Sequence, residues 1–238
     1  MYDFFHWLAK LWTHKVHPRI ASFVAFFGAF WLGACILVLY VLAKLADGVL
    51  EQEAFSFDKT ILLDIHRLAN PVLDRLMLSI TRIGNPQTVV PLTMVVFVFL
   101  WWQRYRLEAK VFALNAFGGA VLSYVLKIAF YKPRPDLWPR LITETTFSFP
   151  SGHALGSVVL YGFLSYLFAT LYPRYDKAFY AIATVLIVAI GFSRLYLGVH
   201  WPTDILAGYG IGFLWITVCI NLLRLQKAKP HRAVEFES

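Results

Sequence analysis

The sequence predicts an all-α, polytopic membrane protein with six transmembrane helices. Three observations carry that expectation. First, 59% of the 238 residues are hydrophobic and only 15% charged, with a mean hydropathy of +0.61. A small soluble domain exposes too many of its residues to hide that much apolar surface, and disorder needs low hydrophobicity. Second, the apolar residues fall into six runs of near bilayer-spanning length: Ile20 to Ala46, Pro86 to Trp102, Val111 to Phe130, His153 to Tyr172, Ala178 to Leu195 and Asp204 to Leu223. Backbone polar groups must pair within lipid, and the alternation of a membrane barrel is absent, so these runs read as helices. Third, the positive charges alternate between connecting segments. Lys10, Lys15 and Arg19 precede the first run. Arg104, Arg106 and Lys110 lie between the second and third, Arg174 and Lys177 between the fourth and fifth, and Arg224, Lys227, Lys229 and Arg232 follow the last. With six spans these segments share one side, which the positive-inside rule makes cytoplasmic, together with both termini.

The division that follows is a cytoplasmic amphipathic segment over 1–19, a six-span domain over 20–223 and a basic cytoplasmic tail over 224–238. Phe4, Phe5, Leu8, Leu11 and Trp12 recur at helical spacing, as in a helix lying on the inner surface. The long first outer loop, Asp47 to Asn85, holds six acids and four bases. Its apolar positions (Ile61, Leu62, Ile65, Leu68, then Leu73, Leu76, Met77, Ile80) describe two short helices separated at Asn70-Pro71. A structural lid is the plainer reading of that pair and a substrate gate the sharper one. Gly208 and Gly212 allow close helix packing, read as packing within the bundle rather than dimerisation.

Cys35 and Cys219 lie inside apolar runs and read as small buried hydrophobes. Leu32-Gly33-Ala34-Cys35 loosely resembles a lipoprotein cleavage box, but the apolar run continues through Leu42, as a span does. The net charge of +8 belongs with membrane orientation, since nothing resembles a nucleic-acid-binding module.

Charged and titratable residues at membrane spans are costly and usually functional. They concentrate in three places: Lys127 with Arg134-Pro135, Pro150-Ser151-Gly152-His153 at the start of the fourth span, and Ser193-Arg194 with His200 and Asp204 around the start of the sixth. The six-span layout puts all three at the outer face. Lys127, Arg134 and Arg194 form a cationic cage, and the guanidinium fork suits phosphate oxygens. Ser151 and Gly152 open a helix whose first free N–H groups favour an anion. Of the two histidines, one can be a nucleophile toward phosphorus and the other a general acid. Asp204, four residues beyond His200, can fix that imidazole's tautomer. A metal is disfavoured because three cations would oppose it. The other histidines (His6, His14, His17, His66, His231) read as surface groups.

Together, Lys127-x6-Arg134-Pro135, Pro150-Ser151-Gly152-His153 and Ser193-Arg194-x5-His200-x3-Asp204 resemble the three-part signature of the type 2 phosphatidic acid phosphatase superfamily, over roughly residues 20 to 223. The resemblance implies a membrane lipid phosphatase without metal or other cofactor. It implies that His200 forms a phosphohistidine, Asp204 orients it, and His153 protonates the leaving group and then activates water. Lys127, Arg134, Arg194, Ser151 and the Gly152 N–H would hold the phosphoryl oxygens, with Pro135 and Pro150 shaping loops. The implied substrates are phosphatidylglycerol phosphate, phosphatidate or undecaprenyl pyrophosphate, met at the outer face of a plasma or inner membrane. Three other readings stay open. A lipid phosphotransferase would share the phosphoenzyme. Vanadium haloperoxidases share the cage but are mostly soluble. An anion transporter would place its polar groups near the midplane rather than at one face. Trp138 and Arg140 are candidates for touching a headgroup, with interfacial anchoring the competing role for Trp138.

Overall fold

The structure is a computed structural model that describes residues 17–51 and 56–228. The expected amphipathic helix at Phe4–Trp12 and the end of the basic tail lie outside those residues. All regular structure among the described residues is helical. In chain order the helices are α1 (His17–Leu50), α2 (Ser56–His66), α3 (Pro71–Ile83), α4 (Pro86–Trp102), α5 (Arg106–Phe130), α6 (Gly152–Leu171), α7 (Asp176–Tyr196) and α8 (Pro202–Lys227).

Two compact units divide the chain, residues 1–43 and residues 44–238. The first contains the kink of α1 at Gly28, where φ of 59° suits a residue without a side chain. The second contains α2 to α8.

Five helices are long and apolar enough to cross a membrane: Trp31–Leu50 of α1, then α5, α6, α8 and Pro173–Tyr196, which contains α7. A sixth span appears only when α3 and α4 are counted together across their 40° bend. The expected second span, Pro86 to Trp102, is therefore the apolar arm of a broken helix pair. Its 17 residues also carry a proline, Pro91, in mid-helix. The two short helices expected in the first loop are α2 and α3. Asn70 separates them by capping α3, its side chain accepting from the N–H groups of Val72 and Leu73 at 3.0 Å each.

Helix α6 is the centre of the bundle. Two-thirds of its apolar window is buried (67%), against 33% or less for the other spans. Valines and aromatics on the outer helices, such as Val95, Trp102, Phe117 and Val185, are exposed, as lipid-facing residues must be. The interior is glued by few polar groups. Asn115 of α5 is fully buried and donates its amide to Val159 O at 2.8 Å, where α6 loosens into a π turn over Val158–Gly162.

One close approach decides where everything else goes. A Cβ on Gly208 of α8 would lie 2.7 Å from Ser151 O and 2.9 Å from Ala154 Cβ, and one on Gly212 would lie 2.9 Å from Val158 Cβ. The Gly-x-x-x-Gly pair therefore seats α8 against the first turns of α6, within the bundle as expected. At the opposite end of α8, Lys227 pairs with Glu108 near the start of α5 at 2.6 Å. The basic segments Arg104–Lys110 and Arg224–Lys227 therefore meet at the end of the bundle away from the Ser151–Asp204 joint.

Gly208→Ala should disturb that joint, because the methyl meets backbone rather than a yielding side chain. Overpacking of this kind costs about 1–3 kcal/mol. Thermal melting in detergent should show the loss; an unchanged melting temperature would contradict the assigned packing.

Candidate active site

Four helix ends and two loops converge at the Ser151–Asp204 end of the bundle. Ser151 donates its backbone N–H to Asp204 O at 3.0 Å, joining the start of α6 to the first turn of α8. Ser151 is fully buried and caps α6, its hydroxyl accepting from Ala154 N–H at 3.4 Å. Lys127, in the last turn of α5, donates to Phe147 O, and its Cε would lie 3.6 Å from a Cβ on Gly152. Gly198 takes φ of 68° in the loop between α7 and α8, and any side chain there would collide with the Trp138 ring. That ring also stacks on His66 at 4.0 Å, so both residues hold the loops together.

His200 is 1% exposed. Its Nδ1 faces Asp204 Oδ2 at 3.4 Å, and its Nε2 lies 3.2 Å from Arg134 Nη1. A guanidinium can only donate, so Nε2 must be the acceptor and the proton belongs on Nδ1, toward the carboxylate. Burial pushes the imidazole down to about 3, with Asp204 opposing the shift and Arg134 adding to it. At neutral pH the ring is therefore uncharged, with its lone pair on the atom that faces the cage.

Arg134 is held by Val199 O at 2.6 Å and Thr146 O at 2.8 Å. Burial lowers it to about 10, still charged at neutral pH. Arg194, 1% exposed, donates to Thr81 Oγ1 at 2.7 Å and to Glu144 Oε1, and its Nε has no acceptor among the described residues. Glu144 also lies 3.8 Å from Arg134. Burial raises the Glu144 carboxyl, but Arg194 outweighs that and holds it below the usual carboxylate range. His153, in the first turn of α6, places Nε2 2.7 Å from Asn85 Oδ1 at the α3–α4 bend.

All eight residues singled out from sequence thus gather at one end of one bundle: His153, His200, Asp204, Lys127, Arg134, Ser151, Gly152 and Arg194. Sequence reasoning passed over four others. Lys132 bonds Asp204 Oδ1 at 2.8 Å, Asp58 of α2 bonds Thr203, Glu144 joins the two arginines, and Asn85 meets His153. Lys132 sits inside the Lys127–Arg134 spacer and was the most findable of them. Asp58, Asn85 and Glu144 each meet a partner 50 or more residues away, Thr203, His153 and Arg194. Trp138 touches His66 and Gly198 and does not line the cavity described next, and Arg140 pairs with Asp136 at 3.6 Å.

A cavity of about 450 Å³ leaves the site between α4, α5 and α6. Lys127, Arg134, His153 and His200 line its polar end. Val89, Val90, Ala116, Ala120, Leu155 and Leu160 line the rest. It can take a group that is anionic at one end and apolar at the other.

The profile of the PAP2 superfamily matches residues 108–227. Phosphatidylglycerophosphatase B of Bacillus subtilis (strain 168) is 33% identical over 150 residues, covering 62% of this chain and 73% of that protein. An undecaprenyl-diphosphatase of Sulfolobus acidocaldarius is 28% identical over 204 residues, covering 84% and 91%. The crystal structure of the transmembrane PAP2-type phosphatidylglycerolphosphate phosphatase from Bacillus subtilis superposes with a TM-score of 0.75 at 29% identity, over 83% of this chain and 98% of that one.

Proposed function

The chain belongs to the PAP2 superfamily and is a multi-span lipid phosphatase, and from that premise we propose that it hydrolyses a phosphate monoester or pyrophosphate of a membrane lipid through a phosphohistidine on His200. One observation carries the reading. The unprotonated Nε2 of His200, Arg134, Lys127 and His153 converge at the polar end of a cavity whose other end is apolar.

The chemistry follows from the groups in place. Nε2 of His200 attacks phosphorus as the bond to the leaving oxygen breaks, and His153 gives that oxygen its proton. The lipid alcohol leaves a monoester, and the lipid monophosphate leaves a pyrophosphate. Positive charge developing on the attacking imidazole is met by Asp204 at Nδ1. Lys127, Arg134, Arg194, Ser151 and the Gly152 N–H take the phosphoryl oxygens, whose charge is spread over three equatorial positions. Water then attacks the phosphohistidine, His153 takes its proton, and inorganic phosphate leaves. Three fixed cations supply the charge neutralisation that a metal supplies in other phosphoryl-transfer sites.

The apolar walls of the cavity suit lipid chains, so the substrate keeps its chains between α4, α5 and α6 while its headgroup enters the cage. Phosphatidylglycerol phosphate, phosphatidate and undecaprenyl pyrophosphate all fit that description, and the names of the relatives favour the first and third. The clustering of basic residues at the far end of the bundle supports a cytoplasmic position for that end and an extracytoplasmic position for the site, in a plasma or inner membrane.

His200→Ala should lower phosphate release from detergent-solubilised phosphatidate by about 10⁴-fold or more. Activity close to wild type would remove the nucleophile from this scheme. Acid-quenched wild-type enzyme should carry a phosphohistidine that yields inorganic phosphate; transfer to an added lipid alcohol instead would mark a phosphotransferase. Ala116→Phe should narrow the apolar arm of the cavity. KM should rise several-fold for a long-chain phosphatidate and stay unchanged for a water-soluble short-chain one; equal effects on both would place the chains elsewhere. For orientation, a cysteine replacing Asp136 should react with an impermeant thiol reagent in intact cells. Labelling only after lysis would reverse the topology.

A further inference from the structure

Between Lys127 and Arg134 stands a second lysine that serves neither the cage nor the cavity. The Lys132 side chain is 14% exposed and is absent from the cavity lining. Its ammonium lies 2.8 Å from Asp204 Oδ1, 2.9 Å from Thr203 Oγ1 and 3.9 Å from Asp58 Oδ2. Asp58 comes from α2, 145 residues from its partner in sequence, and is 4% exposed. It accepts from Thr203 N–H at 3.0 Å and from the Thr203 hydroxyl at 2.6 Å. One carboxylate thus binds the first turn of α8 by its backbone and faces the lysine that binds the next residue's side chain.

Asp204 is wholly buried. Oδ1 accepts from Lys132; Oδ2 accepts from the Ser148 hydroxyl and from Trp201 N–H at 2.9 Å, and faces His200 Nδ1. A buried carboxylate needs both a counter-charge and a full set of donors. His200 is uncharged before reaction, and Arg134 meets its far nitrogen, so Lys132 is the cation in direct contact. Behind Nδ1 the Asp204 carboxylate is thus held in place by that ammonium, and a carboxylate is what the imidazole needs there as it becomes positive on attacking phosphorus.

We propose that Lys132 and Asp58 are positioning residues of the phosphatase reaction, a buried ion relay that fixes the Asp204 carboxylate against His200 and ties helix α2 of the first loop to catalysis. The relay acts through Asp204 and touches no substrate. It rests on the reading of His200 as nucleophile.

The test uses the full-length protein in detergent with phosphatidate in mixed micelles. Lys132→Met keeps length and removes charge. It should lower kcat by about 10–100-fold, the range typical of partners one shell removed from a reacting centre, while KM stays within about twofold. Rapid-quench measurement should place the loss in formation of the phosphoenzyme. Lys132→Arg, which keeps the cation, should recover most of kcat. Asp58→Asn, which keeps one acceptor for Thr203, should lower kcat with KM unchanged and melting temperature near wild type. Wild-type kcat in both Lys132→Met and Asp58→Asn would overturn the proposal. So would a raised KM with kcat intact, since that would make Lys132 a substrate ligand, or a failure of Lys132→Arg to recover more than Lys132→Met. Should Lys132→Met fail to fold, Asp58→Asn and Lys132→Arg decide by the same criteria. Unimpaired relay variants beside an inactive His200→Ala sink this inference alone. An active His200→Ala sinks the functional reading beneath it.

Discussion

The site exists because two helices begin at the same point. Ser151 N–H donates to Asp204 O at 3.0 Å, and the missing side chain of Gly208 lets the backbones of α6 and α8 come that close. Each helix start brings its own chemistry. That of α6 carries Ser151, Gly152 and His153; that of α8 carries Asp204, with His200 in the tight loop before it. The N-terminus of α6 adds its partial positive charge at this point, while the Thr203 N–H of α8 is already taken by Asp58. The cations then come from the ends of α5 and α7 and from the loop between α5 and α6, which the same packing brings alongside.

Holding that many charges out of water requires that each be answered. The structure sorts them into two layers separated by the His200 ring. On the Nε2 side stands Arg134, with Glu144 set between its guanidinium and that of Arg194. On the Nδ1 side stand Asp204, Lys132 and Asp58. The imidazole between them carries its proton toward the Asp204 carboxylate and its lone pair toward Arg134. Burial, which keeps the ring neutral, serves the same end. A charged imidazole there would lose the lone pair that faces Arg134 and meet that guanidinium unfavourably.

What was legible in the sequence was what depends on local spacing. Hydrophobic run length announced the spans. The residue types and offsets within three short stretches singled out the eight site residues that the structure brings together. Contacts between segments far apart in sequence were not legible. Asp58 looked like one acid among six in a loop, because nothing local says that its partner lies 145 residues on. Asn85 read as the edge of a span, yet it marks the bend at which α3 and α4 part and where His153 finds an acceptor. The expected second span is one arm of a bent pair for a related reason: a window of hydropathy registers that α4 is apolar but not that the chain bends at Gly84-Asn85. The same bend gives the first loop a part that neither a plain lid nor a gate describes. Thr81 and Asn85 at the end of α3, with Asp58 on α2, make that loop a wall of the site.

Glu144 sharpens what the cage must discriminate. Its two carboxylate oxygens lie against two guanidinium groups, one on Arg194 and the other 3.8 Å from Arg134. Three cations without an anion would repel one another at this depth, and one carboxylate offsets part of that repulsion. A phosphoryl group seated on both forks must share them with Glu144 or displace it. A monoanionic headgroup offers the forks little more charge than the carboxylate already does. A dianionic phosphate, with three oxygens and greater charge, offers more.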